Sequence, residues 1–384
     1  MQAVILAAGE GKRVRPLTRS RPKALIPVAN RPIIEYVIDA LTKNGIRDII
    51  VVVGYRKEQV TRFLNQLEVP VEVVVQSKQL GTAHALQCAE SKIDGDFLLL
   101  PGDNYIDPNS IARIAGQQNA MLVKEHPYPS NFGVVTMQDG LVTEIVEKPE
   151  HAQSLTVSTG IYSLKKEVFS YIRGNDLTDA IDAMIRDGKP VRGVVADDWQ
   201  DAIFAWDLLK MNRRLMRNTT PAREGTLSRQ TIIHGSVRIG KGTTIGPNTV
   251  ISGPVVIGND CTIGPNCCIH PDTSIGSRVT IEPFTLLGDA IVMDDTTIGS
   301  HSRIMDTVVG ERCALADHTS TSISSGILEI EGSPIASRFG AIFGDTVSSG
   351  PFSTYRHAIL GNNVTVDGQG RITSRIIPDG SMVI

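Results

Sequence analysis

No apolar run in this sequence is long enough to cross a membrane. The longest, such as Ile49 to Val53 and Phe97 to Leu100, fall far below the roughly 18 residues of a spanning helix and read as buried strands. A secretory leader is not expected, because Gln2 to Ala8 already enters a first strand and leaves no charged start, apolar middle and cleavage site. The expected location is the cytoplasm. A basic excess is missing too: 38 lysines and arginines face 41 aspartates and glutamates, a net charge of −3. Without a positive field, nucleic acid and anionic membrane are excluded as expected partners. Paired cysteines are also lacking. The five present, Cys88, Cys261, Cys267, Cys268 and Cys313, are an odd set without CxxC spacing, which disfavours a disulfide framework and a zinc cluster.

What is present starts at the first residues. An apolar strand runs into Gly9-Glu10-Gly11, and Lys12, Arg13, Arg21 and Lys23 follow. Glycine lets the main chain turn sharply and approach a ligand, so that backbone N–H groups can converge on phosphate oxygens. Arg13 and Lys23 would add charge. The spacing fits neither better-known glycine loop. A dinucleotide fingerprint needs a third glycine or alanine where Arg13 stands, and a P-loop needs four residues between its glycines and Ser or Thr after its lysine. The segment instead resembles the signature of the sugar-1-phosphate nucleotidylyltransferases, L-x-A-G-x-G-x-R-x-x-P-L-T-x-x-x-P-K, at every fixed position from Leu6 to Lys23.

A chain of 384 residues can hold two domains with real cores. Up to Arg217, apolar strands (2–7, 48–54, 71–76, 96–101, 120–125) alternate with helical patterns, such as Ile33, Ile34, Val37, Ile38 and Leu41. That alternation predicts an α/β, Rossmann-like domain over 1–217 with a mostly parallel sheet, whose ligands bind beyond the carboxyl ends of the strands. The glycine loop and Gly102-Asp103 both fall there. A hairpin turning at Asp139-Gly140 and a closing helix around Leu208 to Met216 complete the domain. Residues 218–230 read as a linker.

From 231 to 384 the sequence repeats. Ile233, Ile239, Ile245, Ile251, Ile257, Ile263, Ile269, Ile275, Ile281 and Leu287 recur every six residues. Such a repeat marks a parallel β-helix, in which residues three hexapeptides apart stack about 4.8 Å above one another. Small or β-branched residues four positions later fill a second inward slot, and Cys261, Cys267 and Cys313 fit it by size. The period slips after Leu287 and after Ile304, and breaks between about 324 and 340. The resemblance identifies a left-handed β-helix of hexapeptide repeats and implies a homotrimer.

The same resemblance implies a site. Leu6, Ala8, Gly9 and Gly11 would bind the nucleotide. Arg13 would hold the leaving pyrophosphate, Lys23 the α-phosphate, and Lys148 of Val146-Glu147-Lys148-Pro149 the sugar phosphate. Asp103 and Asp201 match the magnesium aspartates, although Ala202 and Phe204-Ala205 depart from the usual sequence after the second. Glu147 would accept from the sugar, with Gly133, Thr159 and Gly160 lining its pocket. Gln79-Leu80-Gly81-Thr82-Ala83-His84-Ala85 resembles the Q-L-G-T-x-H-A of N-acetylglucosamine-1-phosphate uridylyltransferases, which implies that Gln76, Gly81 and Thr82 read uracil, or thymine with its extra methyl. His84 receives no role. The implied partners are a nucleoside triphosphate, UTP before dTTP, and N-acetylglucosamine 1-phosphate or glucose 1-phosphate. In-line attack would need no side-chain nucleophile.

Over its whole length the chain resembles the archaeal fused nucleotidylyltransferase and amino-sugar-1-phosphate N-acetyltransferase. That implies acetyl-CoA as a second substrate and His301 as the acetyl-transfer base. Residues 316–323, however, lack the glycines and asparagine of the family's G-A-G-T-x-x-x-N segment. A β-helix serving assembly alone, a mannose-1-phosphate guanylyltransferase and a non-catalytic subunit stay open as alternatives.

Overall fold

Apolar alternation and helical spacing become strands and helices in the computed structural model, which describes residues 1–384. The chain divides into two units. One comprises Met1–Glu10, Pro22–Leu25 and Ile33–Asp201; the other comprises Gly11–Arg21, Ile26–Pro32 and Ala202–Ile384. No helix is long and apolar enough to cross a membrane.

In chain order the first unit holds β1 (Gln2–Ala7), α1 (Ile33–Lys43), β2 (Asp48–Val53), α2 (Lys57–Leu64), β3 (Glu72–Val75), α3 (Thr82–Ala89), β4 (Phe97–Pro101), β5 (Asn104–Ile106), α4 (Pro108–Ala115), β6 (Ala120–Glu125), β7 (Gly133–Gln138), β8 (Leu141–Glu147), β9 (Thr156–Leu164), α5 (Leu177–Arg186), β10 (Arg192–Val195) and β11 (Trp199–Asp201). Nine strands form one sheet in the order β3-β2-β1-β4-β9-β6-β10-β8-β7. Its first four strands are parallel, whereas β9 runs antiparallel to both of its neighbours, β4 and β6. Ala3, Val4 and Ile5 of β1 are all fully buried, as the continuous apolar run of a central parallel strand requires. Local chemistry sets the ends. Asp107 starts α4 by accepting hydrogen bonds from the Asn109 and Ser110 amides, with Pro108 in the first turn.

The second unit is a parallel β-helix with α6 (Asp207–Met216) against it. Residues 18 apart pair in parallel register: Ile239 with Ile257 and then Ile275, Ile245 with Ile263 and then Ile281. The later slips in period are coils of 17, since Ile275 pairs with Val292, Ile281 with Ile298 and Leu287 with Ile304. These side chains form one continuous buried core that includes Cys261, Cys267 and Cys313. Burial pushes the Cys313 thiol up to about 12, so it acts as a packing group. The interruption is an antiparallel hairpin, Ser324–Ile330 with Ser333–Phe339, after which Val309 pairs with Phe343 across the insertion. The stretch 218–230 contains Ala222–Arg223 and Thr226–Leu227, which pair with Val237–Ile239 and Thr244–Ile245, so the first coil starts inside it.

Candidate active site

In the first unit Gln76 follows β3 and Asp103 follows β4, both at the carboxyl ends of parallel strands. After β4 the chain turns back beside β1: the Gly102 amide donates to the Leu6 carbonyl (2.8 Å), and a Cβ on Gly102 would stand 3.1 Å from both Ala7 Cβ and Ile5 Cγ2. That close approach needs glycine. It delivers Asp103 next to the end of β1. Asn104, the following residue, opens β5, which pairs antiparallel with β11 so that Asn104 faces Asp201. Two aspartates far apart in sequence are thereby brought to one point.

Lys23 occupies that point. Its Nζ lies 2.9 Å from Asp103 Oδ2 and 2.9 Å from Asp201 Oδ1, and only 9% of its side chain is exposed. Burial pulls the ammonium pKa down, but the two carboxylates outweigh it and hold the group above the ordinary lysine range. The other basic candidates are more open. Lys148, in left-handed backbone (φ 43°), pairs with Glu147 at 2.5 Å and is half exposed.

Glu147 faces Gly133 across the β7–β8 hairpin, and a Cβ on Gly133 would come 3.3 Å from Glu147 Oε2 and 3.2 Å from Thr178 Cγ2. On β9, Gly160 (φ 76°) sits where a Cβ would meet Pro101 Cγ at 2.9 Å. The carbonyl of buried Thr159 accepts from Asn104 Nδ2 at 3.3 Å. The strand carrying Thr159 and Gly160 is thus tied to the loop carrying Asp103. Three buried polar atoms here have no protein partner: Asn104 Oδ1, Thr178 Oγ1 and Trp199 Nε1. Of these, Asn104 follows Asp103 and Thr178 stands beside Gly133.

A third group centres on Gln76. Its Nε2 donates to the Gly81 carbonyl (3.1 Å) and lies 2.9 Å from His84 Nδ1. A carbonyl can only accept, so the atom facing Gly81 is the amide nitrogen, and His84 Nδ1 is then an acceptor. This fixes the side chain with Oε1 left over. Gly81 (φ 126°) fits under Asn175, whose carbonyl would be 2.4 Å from a Cβ there, and Thr82 Oγ1 accepts from the Leu177 amide. Sequence reasoning missed His84, Asn104 and Thr178. For His84 the motif itself was the available signal; for Asn104 it was adjacency to Asp103.

Gly9 opens onto space, and Ala8 accepts from the Tyr55 amide at 2.9 Å. Gly11 and Arg13 belong to the second unit, where Gly11 (φ 71°) begins a 3₁₀ turn, Lys12–Val14, and Arg13 is exposed. His301 also lies in the second unit. Its ring is exposed and stacks between Phe284 (centroids 4.9 Å apart) and His318 (5.0 Å), and Phe352 continues the column.

A family model described as Nucleotidyl transferase matches residues 2–217. The chain belongs to the nucleotidyl transferase family. A second model, GMPPB C-terminal domain, matches residues 251–383 of this nucleotidyl transferase. Bifunctional protein GlmU of Methanococcus maripaludis is 35% identical, over 100% of this chain and 97% of its own length. UTP–glucose-1-phosphate uridylyltransferase AglF of Haloferax volcanii is 36% identical over 58% of this chain and 100% of its own. Among solved structures, UDP-glucose pyrophosphorylase from Acinetobacter baumanii superposes with a TM-score of 0.50 at 26% identity, covering 56% of this chain and 92% of its own.

Proposed function

We propose that this nucleotidyl transferase joins a nucleoside triphosphate, UTP first, to a sugar 1-phosphate, N-acetylglucosamine 1-phosphate or glucose 1-phosphate. A sugar-phosphate oxygen bonds to the α-phosphorus in line, the bond to the β-phosphate oxygen breaks, and pyrophosphate leaves. The observation that carries this reading is Lys23, a buried donor between two carboxylates at the strand ends. Charge stabilisation and alignment are what such a transfer needs from a protein.

Lys23 is the donor for the α-phosphate, Arg13 for the pyrophosphate and Lys148 for the sugar phosphate. Glu147, Gly133, Thr159 and Gly160 form the sugar side. Asp103 and Asp201 are two hard oxygen donors of the kind that Mg²⁺ takes together with phosphate oxygens and water, and they would hold the ion once Lys23 Nζ turns from between them to the α-phosphate. When bound, Mg²⁺ neutralises charge on the triphosphate. Gln76 supports the base choice. With Nε2 committed, its Oε1 accepts from a base carrying a ring N–H, which uracil and thymine have and cytosine lacks.

Acetyl transfer in the β-helix is the second reading, supported by the full-length likeness to a relative named bifunctional. Residues 316–323, which lack the glycines and asparagine of the family's G-A-G-T-x-x-x-N segment, count against it.

One assay set tests both. Nucleoside triphosphates are paired with sugar 1-phosphates and pyrophosphate is measured; acetyl-CoA with glucosamine 1-phosphate is included, and thiol release is measured. UTP should give the highest turnover. Asp103→Ala should lower kcat about a thousandfold or more with an unchanged circular-dichroism spectrum. Full turnover in that variant removes the site assignment, and thiol release above background establishes the second activity.

A further inference from the structure

The signature stretch Gly11–Arg21 carries five basic residues, Lys12, Arg13, Arg15, Arg19 and Arg21. It folds as part of the β-helix unit, and carboxylates of that unit take three of them. Arg21 Nη2 lies 2.6 Å from Asp345 Oδ2 and 3.2 Å from Glu311 Oε1, while its Nη1 reaches Met293 Sδ at 2.8 Å. Arg19 Nε meets Asp379 Oδ2 at 2.7 Å, and Arg15 Nη1 meets Glu331 Oε1 at 3.6 Å on the hairpin turn. Asn362 Nδ2 donates to the Pro16 carbonyl at 3.4 Å. Lys12 and Arg13 face no carboxylate and are exposed. The stretch is held by every arginine except the one assigned to phosphate.

The contacts are unequal. The Arg19 and Arg15 pairs are open to water, where ion pairs contribute little. The Arg21–Asp345 pair has side chains only 9% and 4% exposed, and Asp345 Oδ1 is itself fixed by the Glu311 amide at 2.9 Å. Removing one member of such a pair strands a buried charge, so its geometry is strongly specified.

We infer that Arg21 and Asp345 are a positioning pair. The β-helix shapes the Gly11–Arg21 loop through them and leaves Arg13 over for the triphosphate. The inference rests on the reading of this loop as the triphosphate grip. It gives the β-helix a part in nucleotidyl transfer that needs no second chemistry.

The test uses the full chain with Asp345→Asn, which keeps the side-chain shape. Amide exchange in residues 12–20 without nucleotide should quicken about tenfold. KM for UTP should rise about tenfold to a hundredfold while KM for the sugar 1-phosphate stays within about twofold. Unchanged exchange overturns the inference, and so does faster exchange with unchanged UTP kinetics. Neither result touches the proposed function, which fails only if the unaltered protein shows no nucleotidyl transfer. Because Asp345→Asn can also weaken folding, the other member of the buried pair supplies a second arm. Arg21→Ala should raise KM for UTP, and Arg21→Lys, which keeps a charge opposite Asp345, should recover part of it; a lysine variant no better than alanine counts against positioning by the β-helix.

Discussion

At the scale of single residues, the site is a set of mutual constraints. Lys23 is charged because Asp103 and Asp201 surround it, and the two carboxylates tolerate each other because Lys23 lies between them. The same logic governs Gln76, whose amide is oriented by one carbonyl and one imidazole nitrogen. His84→Ala should free that amide to flip. The preference for UTP over CTP, measured as a ratio of kcat/KM, is expected to fall about tenfold, with His84→Asn recovering part of it as a replacement acceptor. An unchanged ratio would show that His84 does not orient Gln76. The legibility of these residues in the sequence followed from where they sit. Leu6 to Lys23 and Val146 to Pro149 are contiguous, so their likeness to the family motifs could be read directly. His84 faces Gln76 only because a helix begins at Thr82 and brings it round to the end of β3, and one-dimensional spacing does not display that.

At the scale of elements, the β-helix was the most readable part, since a period of six has no helical counterpart and each isoleucine names its own place in the core. The hairpin was legible only as a break. Its turn, Glu331-Gly332 with φ of 49° and 79°, is of the kind that favours Asn-Gly, and glutamate in the first position hides it. The outer turns of the coils carry chemistry of their own. Asp306 packs beside Asp289, with Arg213 reaching both and Arg338 near. Burial, then the Asp289 hydrogen bond and charge, raise its pKa from 3.8 to about 6, with Arg213 and Arg338 opposing. Between those values the folded chain keeps a proton that the unfolded chain has released. Stability is therefore lost as pH rises through that window. Asp306→Asn should melt about 2 °C higher than the unaltered protein at pH 7, with the gap closing toward pH 4. A gap that is constant with pH would place the raised group elsewhere.

At the scale of the whole molecule, strand alternation up to Arg217 and hexapeptides from 231 made two architectures plain, but sequence order does not reveal that Gly11–Arg21 and Ile26–Pro32 fold with the later one. The outer surface of the coils bears Ile232, Phe284 and Phe352, each about half exposed. We propose that it joins copies of the chain, a trimer being expected from the family resemblance. Light scattering on the purified protein should give a mass near three chains, and a Phe284→Glu, Phe352→Glu variant a smaller one; a monomeric unaltered protein would end that proposal. The division of the chain also bears on engineering. A nucleotidyl transferase cut after Arg217, or fused there to a foreign C-terminal domain, would retain every signature residue and still lose the carboxylates at 311, 331, 345 and 379. The front half of this gene is therefore not a portable cassette, and any graft must bring its own acidic seat for three arginines.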